Sequence, residues 1–254
     1  MRLVDRPFVA TARRAGLDAI GLLLPVTCAG CGMPDRSVCP SCTAALEPSP
    51  RMVARGDLVA WTALAYAGVA ADVIRAYKDD LRTDAAAPLA HALGTVVAAA
   101  LDGRRTGSVE VCTVPSTPAA RRRRGYGPVD AMLARCGIRP SPVLRLARER
   151  RDQAGLGVAA RLANAAGGLE ARSPLVGRRF LLVDDVLTTG ATLAETRRAV
   201  LAAGGAVEAI AVLAETPLRR SGHMAGTRET LRDIHGRGDY GGRTGVVDPP
   251  FRSG

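Results

Sequence analysis

Two adjacent aspartates, followed by a short loop of threonines and a glycine, are the residues best suited to bind a phosphorylated ligand. The run from Leu181 to Thr192 reads LLVDDVLTTGAT. Its apolar start predicts a buried strand over Phe180–Val183, and open α/β sheets bind ligands at the carboxyl ends of their strands. We therefore expect Asp184 and Asp185 to lie at a ligand site.

The loop after the aspartates has groups that bind phosphate. Gly190 lets the backbone turn tightly around an anion, and neighbouring threonines add hydroxyl donors. A helix predicted over Ala191–Ala203 contributes its free N–H groups and positive dipole end. The two aspartates would repel a phosphate, so vicinal ribose hydroxyls or a magnesium-bound group are their expected partners. The alternative, a threonine N-cap with two aspartates facing water, leaves most of the run unexplained.

Four of the six cysteines are spaced as two pairs of metal ligands. Each Cys-x-x-Cys turn presents two thiolates to one metal, and two such turns complete a tetrahedral site. We expect a structural Zn²⁺, with redox dithiols or an iron–sulfur cluster as alternatives. A catalytic zinc is not expected, because catalytic sites keep an open position. The four ligands are Cys28, Cys31, Cys39 and Cys42.

Composition adds a preference for anionic partners. The chain has 254 residues and a formal charge of +11, and Lys78 is its only lysine among many arginines. Such an excess suits nucleic acid, an acidic membrane or a phosphorylated ligand, although the Arg- and Ala-rich usage of a high-GC genome explains part of it. Aromatic residues make up 3% of the chain, so its core must consist of Ala, Val and Leu.

The apolar stretch Ile20–Val26 is too short to cross a bilayer and is interrupted by Pro25. It also lacks the small-residue cleavage site of a signal peptide. We expect an amphipathic lead-in helix there, no membrane insertion and a cytoplasmic location.

The elements that must position these residues follow from the apolar pattern. The stretch after Phe180 predicts strand, helix and strand in sequence, which is a βαβ unit with a parallel sheet covered by helices. The segment 47–56, rich in Pro and Gly, is interpreted as a linker. Further strands are expected at 58–65, 109–114 and 207–213, and further helices at 69–77 and 88–101.

The run LLVDDVLTTGAT resembles the phosphoribosyl pyrophosphate motif of type I phosphoribosyltransferases. From about residue 20 to 215, the chain resembles the ComF family, which joins such a domain to an N-terminal cysteine module. The resemblance implies an α/β fold with a type I phosphoribosyltransferase-like parallel sheet flanked by helices. The expected parts are an N-terminal helix with a zinc-ribbon-like module at 1–50, the transferase-like domain at 57–216 and a disordered tail at 217–254.

The same resemblance implies residue roles in the motif. Asp184 and Asp185 would be the catalytic residues and contact the ribose hydroxyls. The residues expected to wrap the 5′-phosphate are Thr188, Thr189, Gly190, Ala191 and Thr192.

A proline-and-arginine loop after the first core strand is a second matching block. Arg122 and Arg124 within it are expected to bind pyrophosphate, since guanidinium groups pair bidentately with phosphate oxygens. An exposed basic turn is the alternative. The chain departs from the family here: RGYGP at 124–128 replaces the common Arg-Gly-Phe-Asn-Gln, and Thr113 replaces the first proline of the usual pair.

A third block matches the family at Gln153, Arg161 and Asn164, in a region that closes over the ligand in related transferases. Arg161 and Asn164 are three residues apart on a predicted helix, so both can face one site; a solvent-facing pair is the alternative. Lys78 also matches a family lysine.

The resulting hypothesis is an enzyme that binds phosphoribosyl pyrophosphate with Mg²⁺ and transfers its 5-phosphoribosyl group to an unidentified acceptor. The first alternative is a non-catalytic, ligand-sensing or competence-associated protein, for which the resemblance implies single-stranded DNA or a competence helicase as partners. The scarcity of aromatic residues argues against extensive single-strand binding, and Tyr126 is the one stacking candidate. The second alternative is a zinc-stabilised adaptor with a vestigial loop.

Overall fold

A five-stranded sheet forms the centre of the structure, a computed structural model that describes residues 26–103, 108–147 and 167–217. The strand order is β1-β2-β7-β6-β3, with β1 antiparallel to β2 and the other neighbours parallel. A separate antiparallel pair is formed by β4 and β5. The strands are β1 (Arg51–Arg55), β2 (Leu58–Ala65), β3 (Val109–Thr113), β4 (Leu144–Leu146), β5 (Leu169–Ala171), β6 (Arg179–Leu187) and β7 (Ala206–Glu215).

Helices cover both faces of the sheet. A 3₁₀ turn at Thr83–Ala85 precedes the longest of them. The described helices are α1 (Pro40–Ala45), α2 (Gly68–Asp79), α3 (Ala86–Leu101), α4 (Pro118–Arg124), α5 (Pro128–Arg135) and α6 (Ala191–Ala202).

The side chains of β6 alternate between two apolar cores. Leu181 and Val183 pack with α2, α3 and α5, whereas Phe180 and Leu182 pack with α6 and the β4–β5 pair. This alternation is what a strand buried on both faces requires. The prediction of an α/β fold with a mainly parallel sheet flanked by helices is confirmed, including the β6–α6–β7 unit.

The interpretation of 47–56 as a linker is wrong for Arg51–Arg55, which form the edge strand β1. Arg55 pairs with Leu58 in the antiparallel register, so Gly56 and Asp57 form a two-residue hairpin turn. Gly56 has a φ of 61°, a left-handed conformation that glycine adopts without steric cost. The prolines and Gly56 therefore mark the two ends of a short strand.

Half of the stretch Thr83–Leu101, which contains α3, is buried inside the structure. By length and composition alone, this stretch would be long and apolar enough to cross a membrane. Its buried residues join the core of the sheet, for example Leu89, Leu93 and Val96. A core helix therefore explains its apolar composition.

Three predicted regions lie outside the described residues: the lead-in helix before residue 26, the block at 148–166 and the tail after 217. The two ends of the middle gap are close together, since the Ala147 amide donates to the Gly168 carbonyl at 2.9 Å. The chain therefore leaves and re-enters the described fold at one point beside the β4–β5 pair.

Glu195 connects α6 to β5. Its side chain is 6% exposed, and Oε1 accepts hydrogen bonds from the amides of Gly167 at 3.0 Å and Leu169 at 2.9 Å. Arg198 donates to both carboxylate oxygens. Burial raises the pKa of Glu195, but these donors outweigh it and the pKa is lowered.

We expect Glu195→Ala to lower the free energy of unfolding by about 2–4 kcal/mol, because the buried Leu169 amide, the Gly167 amide and Arg198 lose their acceptor. Glu170→Ala is the control, since Glu170 pairs with Arg145 at the surface and should change stability by less than about 1 kcal/mol. Urea denaturation of both variants measures the difference. Equal losses would show that Glu195 is no more than a surface charge.

Candidate functional site

The acid pair lies near the carboxyl end of β6, between β7 and β3. The sequence predicted a strand that ends at Val183, before both aspartates, and this is wrong, because the strand continues to Leu187. Pairing with β7 extends from Asp184, opposite Val212, to Leu187, opposite Glu215. The ladder joins backbone groups and therefore continues past the apolar side chains from which the strand was predicted.

Lys78, at the end of α2, is the counter-ion of Asp185. Its Nζ lies 2.8 Å from Asp185 Oδ2, and the two side chains are 24% and 14% exposed. Asp184 accepts a hydrogen bond from the Asp185 amide at 2.9 Å. Because Lys78 belongs to α2, Asp185 faces the α2 side of the sheet, as Leu181 and Val183 do.

Asp184 holds its proton more tightly than an ordinary aspartate. Burial and the charge of Asp185 raise its pKa from 3.8 to about 7, against the opposing effects of the Asp185 amide and Lys78. The pair therefore does not carry two full negative charges at neutral pH in the absence of a partner.

The loop after the acid pair brings hydroxyls and backbone amides to the same sheet edge. Thr188, Thr189 and Thr192 are exposed, and α6 begins at Ala191. Gly190 has a φ of 84°, and a Cβ there would lie 3.1 Å from Leu58 Cδ1. The chain can therefore turn into α6 at this point only because Gly190 has no side chain.

Arg55, which was not identified from the sequence, holds the backbone of this loop by hydrogen bonds. Its side chain is 7% exposed and donates to the Glu215 carboxylate, to the Thr216 carbonyl and, at 3.1 Å, to the Thr188 carbonyl. Arg51 adds a second bond to Glu215 at 3.0 Å. The signal was a pair of opposite charges at the ends of two strands: Arg55 ends β1 and Glu215 ends β7.

The predicted arginine loop is a short helix, α4. Thr117 caps it by accepting from the Ala120 amide, Pro118 occupies its first turn, and it ends at Gly125 in the left-handed conformation. These cap and stop signals explain why a basic run without apolar periodicity is helical. The expectation of a loop is therefore wrong, although its position after β3 is as predicted.

Of the two arginines expected to bind pyrophosphate, Arg124 contacts the end of α2 that also carries Lys78. Its side chain is 16% exposed and donates to Asp79 Oδ1 at 3.2 Å, one residue from Lys78. Its Nε is the one buried side-chain nitrogen or oxygen without a hydrogen-bond partner in the described parts of the chain. Arg122 is exposed.

Tyr126 has a structural role. Its ring meets that of Tyr77 edge-on at 5.7 Å, and its hydroxyl donates to the Tyr77 carbonyl at 2.6 Å. The Tyr77 hydroxyl in turn donates to the Pro128 carbonyl at 3.1 Å. These contacts use the Tyr126 hydroxyl and one side of its ring, and the bond to Pro128 fastens the start of α5 to α2.

The four paired cysteines form one cluster, as predicted, and it could hold a metal ion. Their sulfur atoms all lie within 4.8 Å of one another, and Cys31 Sγ is 3.6 Å from Cys39 Sγ. Tetrahedral Zn–S bonds of about 2.3 Å place sulfurs about 3.8 Å apart, which fits these distances.

Backbone amides prepare the cluster for thiolates. Cys28 Sγ accepts from the amides of Gly30 at 3.4 Å and Cys39 at 3.3 Å. Burial raises the pKa of Cys28, but these amides outweigh it and lower the pKa to about 6. A Cβ at Gly30 would lie 2.8 Å from Cys42 Sγ, so only glycine fits beside the sulfurs. The donor set and its surroundings fit a structural zinc.

Gln153, Arg161 and Asn164 lie outside the described residues, so their predicted role in the site remains a prediction.

Comparisons with known proteins give only distant likenesses. No protein-family model and no curated protein sequence matches the chain. The structure is similar to an adenine phosphoribosyltransferase from Thermoanaerobacter pseudethanolicus, with 20% identity, 65% of this chain and 83% of that chain covered, and a TM-score of 0.32. A second adenine phosphoribosyltransferase gives 13% identity, 68% and 89% coverage and a TM-score of 0.37. At such values, the likenesses fix neither activity nor substrate.

Asp184→Asn should stabilise the protein at alkaline pH. Because the pKa of Asp184 is about 7 in the folded state, against 3.8 when unfolded, the folded state binds the extra proton and stability falls as pH rises from about 4 to 7. The variant should gain on the order of 2 kcal/mol more over the parent at pH 8 than at pH 5.

Urea unfolding at both pH values measures this gain. Asp102→Asn is the control, since Asp102 is exposed. A gain for Asp184→Asn that does not depend on pH would contradict the raised pKa.

Cys42→Ser should release the metal, because three thiolates bind zinc far more weakly than four. We expect about one zinc per chain in the parent and a clear loss in the variant, measured by atomic emission on the purified protein. Cys136→Ser, which lies outside the cluster, is the matched control and should keep the metal. Retention of zinc by Cys42→Ser would exclude the four-cysteine site.

Proposed function

We propose that this protein is a phosphoribosyltransferase: it binds phosphoribosyl pyrophosphate with Mg²⁺ and transfers the 5-phosphoribosyl group to an acceptor, releasing pyrophosphate. The observation that carries the proposal is the convergence of the acid pair, the threonine loop and the start of α6 at the carboxyl edge of the sheet. Each of the three suits a different part of that ligand.

The 5′-phosphate suits the loop from Thr188 to Thr192. The first amides of a helix have no intrahelical acceptor and carry the positive end of its dipole. Exposed hydroxyls of Thr188, Thr189 and Thr192 can donate to the same phosphate. The Arg55 bonds to Thr188 and Thr216 keep this loop in place, so its amides need little reorganisation on binding.

The ribose hydroxyls suit Asp184 and Asp185. A carboxylate accepts hydrogen bonds from hydroxyls, and Lys78 contacts Asp185 through Oδ2, with Oδ1 as the second acceptor. In the transfer, the bond from the ribose C1 to pyrophosphate breaks and a bond to the acceptor nucleophile forms. Positive charge develops on the ribose during this exchange, and neighbouring carboxylates stabilise it.

The leaving pyrophosphate suits the arginines of α4. Arg124 has an unpaired buried Nε and lies beside Asp79, at the same end of α2 as Lys78. A guanidinium can pair with two phosphate oxygens at once. Mg²⁺ bound through the diphosphate would neutralise the remaining charge. Arg122, Gln153, Arg161 and Asn164 are further proposed contacts.

Zn²⁺ in the cysteine cluster would be structural and would stabilise the N-terminal module. The proposed location is the cytoplasm, where thiols remain reduced.

Calorimetric titration with phosphoribosyl pyrophosphate and Mg²⁺ tests the binding step. The parent should bind saturably, and the double variant Asp184→Asn/Asp185→Asn should bind roughly 100-fold more weakly, since it loses two charge-assisted acceptors. The matched control is Asp72→Asn/Asp102→Asn, which changes two exposed aspartates elsewhere. Equal affinities of the two double variants would refute the assignment of the acid pair.

Release of pyrophosphate during a screen of acceptors tests the transfer step separately. We expect release that requires both the ligand and one acceptor class, and that the double variant lacks. Tight binding without release for any nucleobase, amine or nucleotide acceptor would reject transfer while leaving the binding site in place.

A further inference from the structure

Helix α2 joins the cysteine cluster to the acid pair. Its first turn packs on the cluster, where Val69 is a partly buried neighbour of the three buried cysteines. A Cβ at Gly30 would lie 3.0 Å from Val69 Cγ1 as well as against Cys42, so the two parts fit closely. Just after α2, Arg82 donates to the Thr27 carbonyl at 2.8 Å, one residue from the first cysteine.

The last turn of α2 meets the elements of the ligand site. Lys78 pairs with Asp185 on β6, and Asp79 pairs with Arg124 on α4. Tyr77, the residue before Lys78, is linked to Tyr126 and Pro128 by the two hydroxyl hydrogen bonds described above. The helix has twelve residues and is therefore about 18 Å long, so one rigid element contacts the cluster at its first turn and the acid pair at its last.

We propose that Lys78 is a positioning residue for the acid pair, and that the metal-loaded cysteine cluster sets its place through α2; this inference rests on the proposed function. Lys78 neutralises the carboxylate that would otherwise repel its neighbour and the incoming anionic ligand. Because α2 is held at its first turn by the cluster, loss of the metal moves the ammonium away from Asp185. Metal and ligand binding are then coupled, and each strengthens the other to the same degree.

The charged groups around the pair support this role for Lys78. Besides Asp185 itself, Lys78 is the charged side chain that acts on Asp184 in the described structure. The neighbouring strands contribute Val212 from β7 and Thr113 from β3 near this level of the sheet, and neither is charged. Removal of the ammonium therefore leaves Asp185 without its counter-ion beside Asp184.

The first test compares ligand affinities by calorimetry with phosphoribosyl pyrophosphate and Mg²⁺. Lys78→Met should weaken binding about 10- to 100-fold, the range for a lost charge-assisted interaction, and Lys78→Arg should restore most of it. Arg75→Met is the control on the same helix, because Arg75 pairs with Asp72 at the surface. Equal affinities of Lys78→Met and Arg75→Met would overturn the positioning role.

The second test needs no ligand. Lys78 is the only lysine, so reductive ¹³C-methylation labels it and the terminal amine alone, and keeps its charge. The Lys78→Arg variant identifies the signal. Withdrawal of zinc by a chelator should shift the Lys78 resonance, and an unchanged resonance in metal-free protein would overturn the link through α2.

The Val69→Ala variant tests the same link without a chelator, which could unfold the protein. It keeps all four thiolates and should retain zinc, yet it should shift the Lys78 resonance and weaken ligand binding several-fold, because the support of the first turn is reduced. Retained zinc with an unmoved resonance would contradict the proposal.

The third test measures the coupling itself. Phosphoribosyl pyrophosphate with Mg²⁺ should slow zinc transfer to a chromophoric chelator in the parent, and this effect should vanish in Lys78→Met. If the parent binds the ligand but releases zinc at an unchanged rate, the coupling is wrong and the proposed function stands. If the parent does not bind the ligand, the proposed function itself fails, whatever the Lys78 resonance shows.

Discussion

Two neighbouring carboxylates near the end of a buried central strand are the constraint on which the rest of this site depends. Charges taken out of water are costly, and two of the same sign are costlier still. The fold answers with an ammonium against Asp185 and with a proton held on Asp184, whose pKa burial raises to about 7. The ion pair and the bound proton reduce the cost of burying the two carboxyl groups, and hydrogen bonds from hydroxyl groups would reduce it further.

A second set of charged side chains fixes the backbone around this pair. Arg55 and Glu215 form a buried ion pair at the ends of β1 and β7, and Arg55 reaches the Thr188 carbonyl. The β1–β2 hairpin makes this possible, because Arg55 and Leu58, which flank its turn, lie against Gly190 at the start of α6. The loop that begins at Thr188 thus depends on a hairpin distant from it in sequence.

The sequence predicted what rests on local patterns. Buried strands, the helix after Gly190 and the cysteine cluster all have signals within a few residues, and the structure confirms them. The aspartates were placed after the strand because periodicity reports side chains, whereas the ladder of β6 joins backbone groups. Helix α4 was missed because its four arginines have no apolar stripe, and its cap residues alone define it.

The ion pairs between residues far apart in the chain could not be predicted from the sequence. Nothing local shows that Arg55 meets Glu215, since their proximity depends on the order of strands in the sheet. Lys78 stood out as the only lysine, but its partner Asp185 follows from where α2 ends above the sheet. Tyr126 was considered for stacking, and its engagement with Tyr77 depends on the packing of α5 against α2.

The hydrogen bond between Ala147 and Gly168 closes the β4–β5 pair at the point where the chain leaves and re-enters the described fold. Glu195 fastens the returning side to α6 through the amides of Gly167 and Leu169. The two sides of residues 148–166 are therefore anchored to the β4–β5 pair and to α6. Because these contacts hold both of its ends, that stretch begins and ends at fixed positions beside the β4–β5 pair, whatever its own length or chemistry.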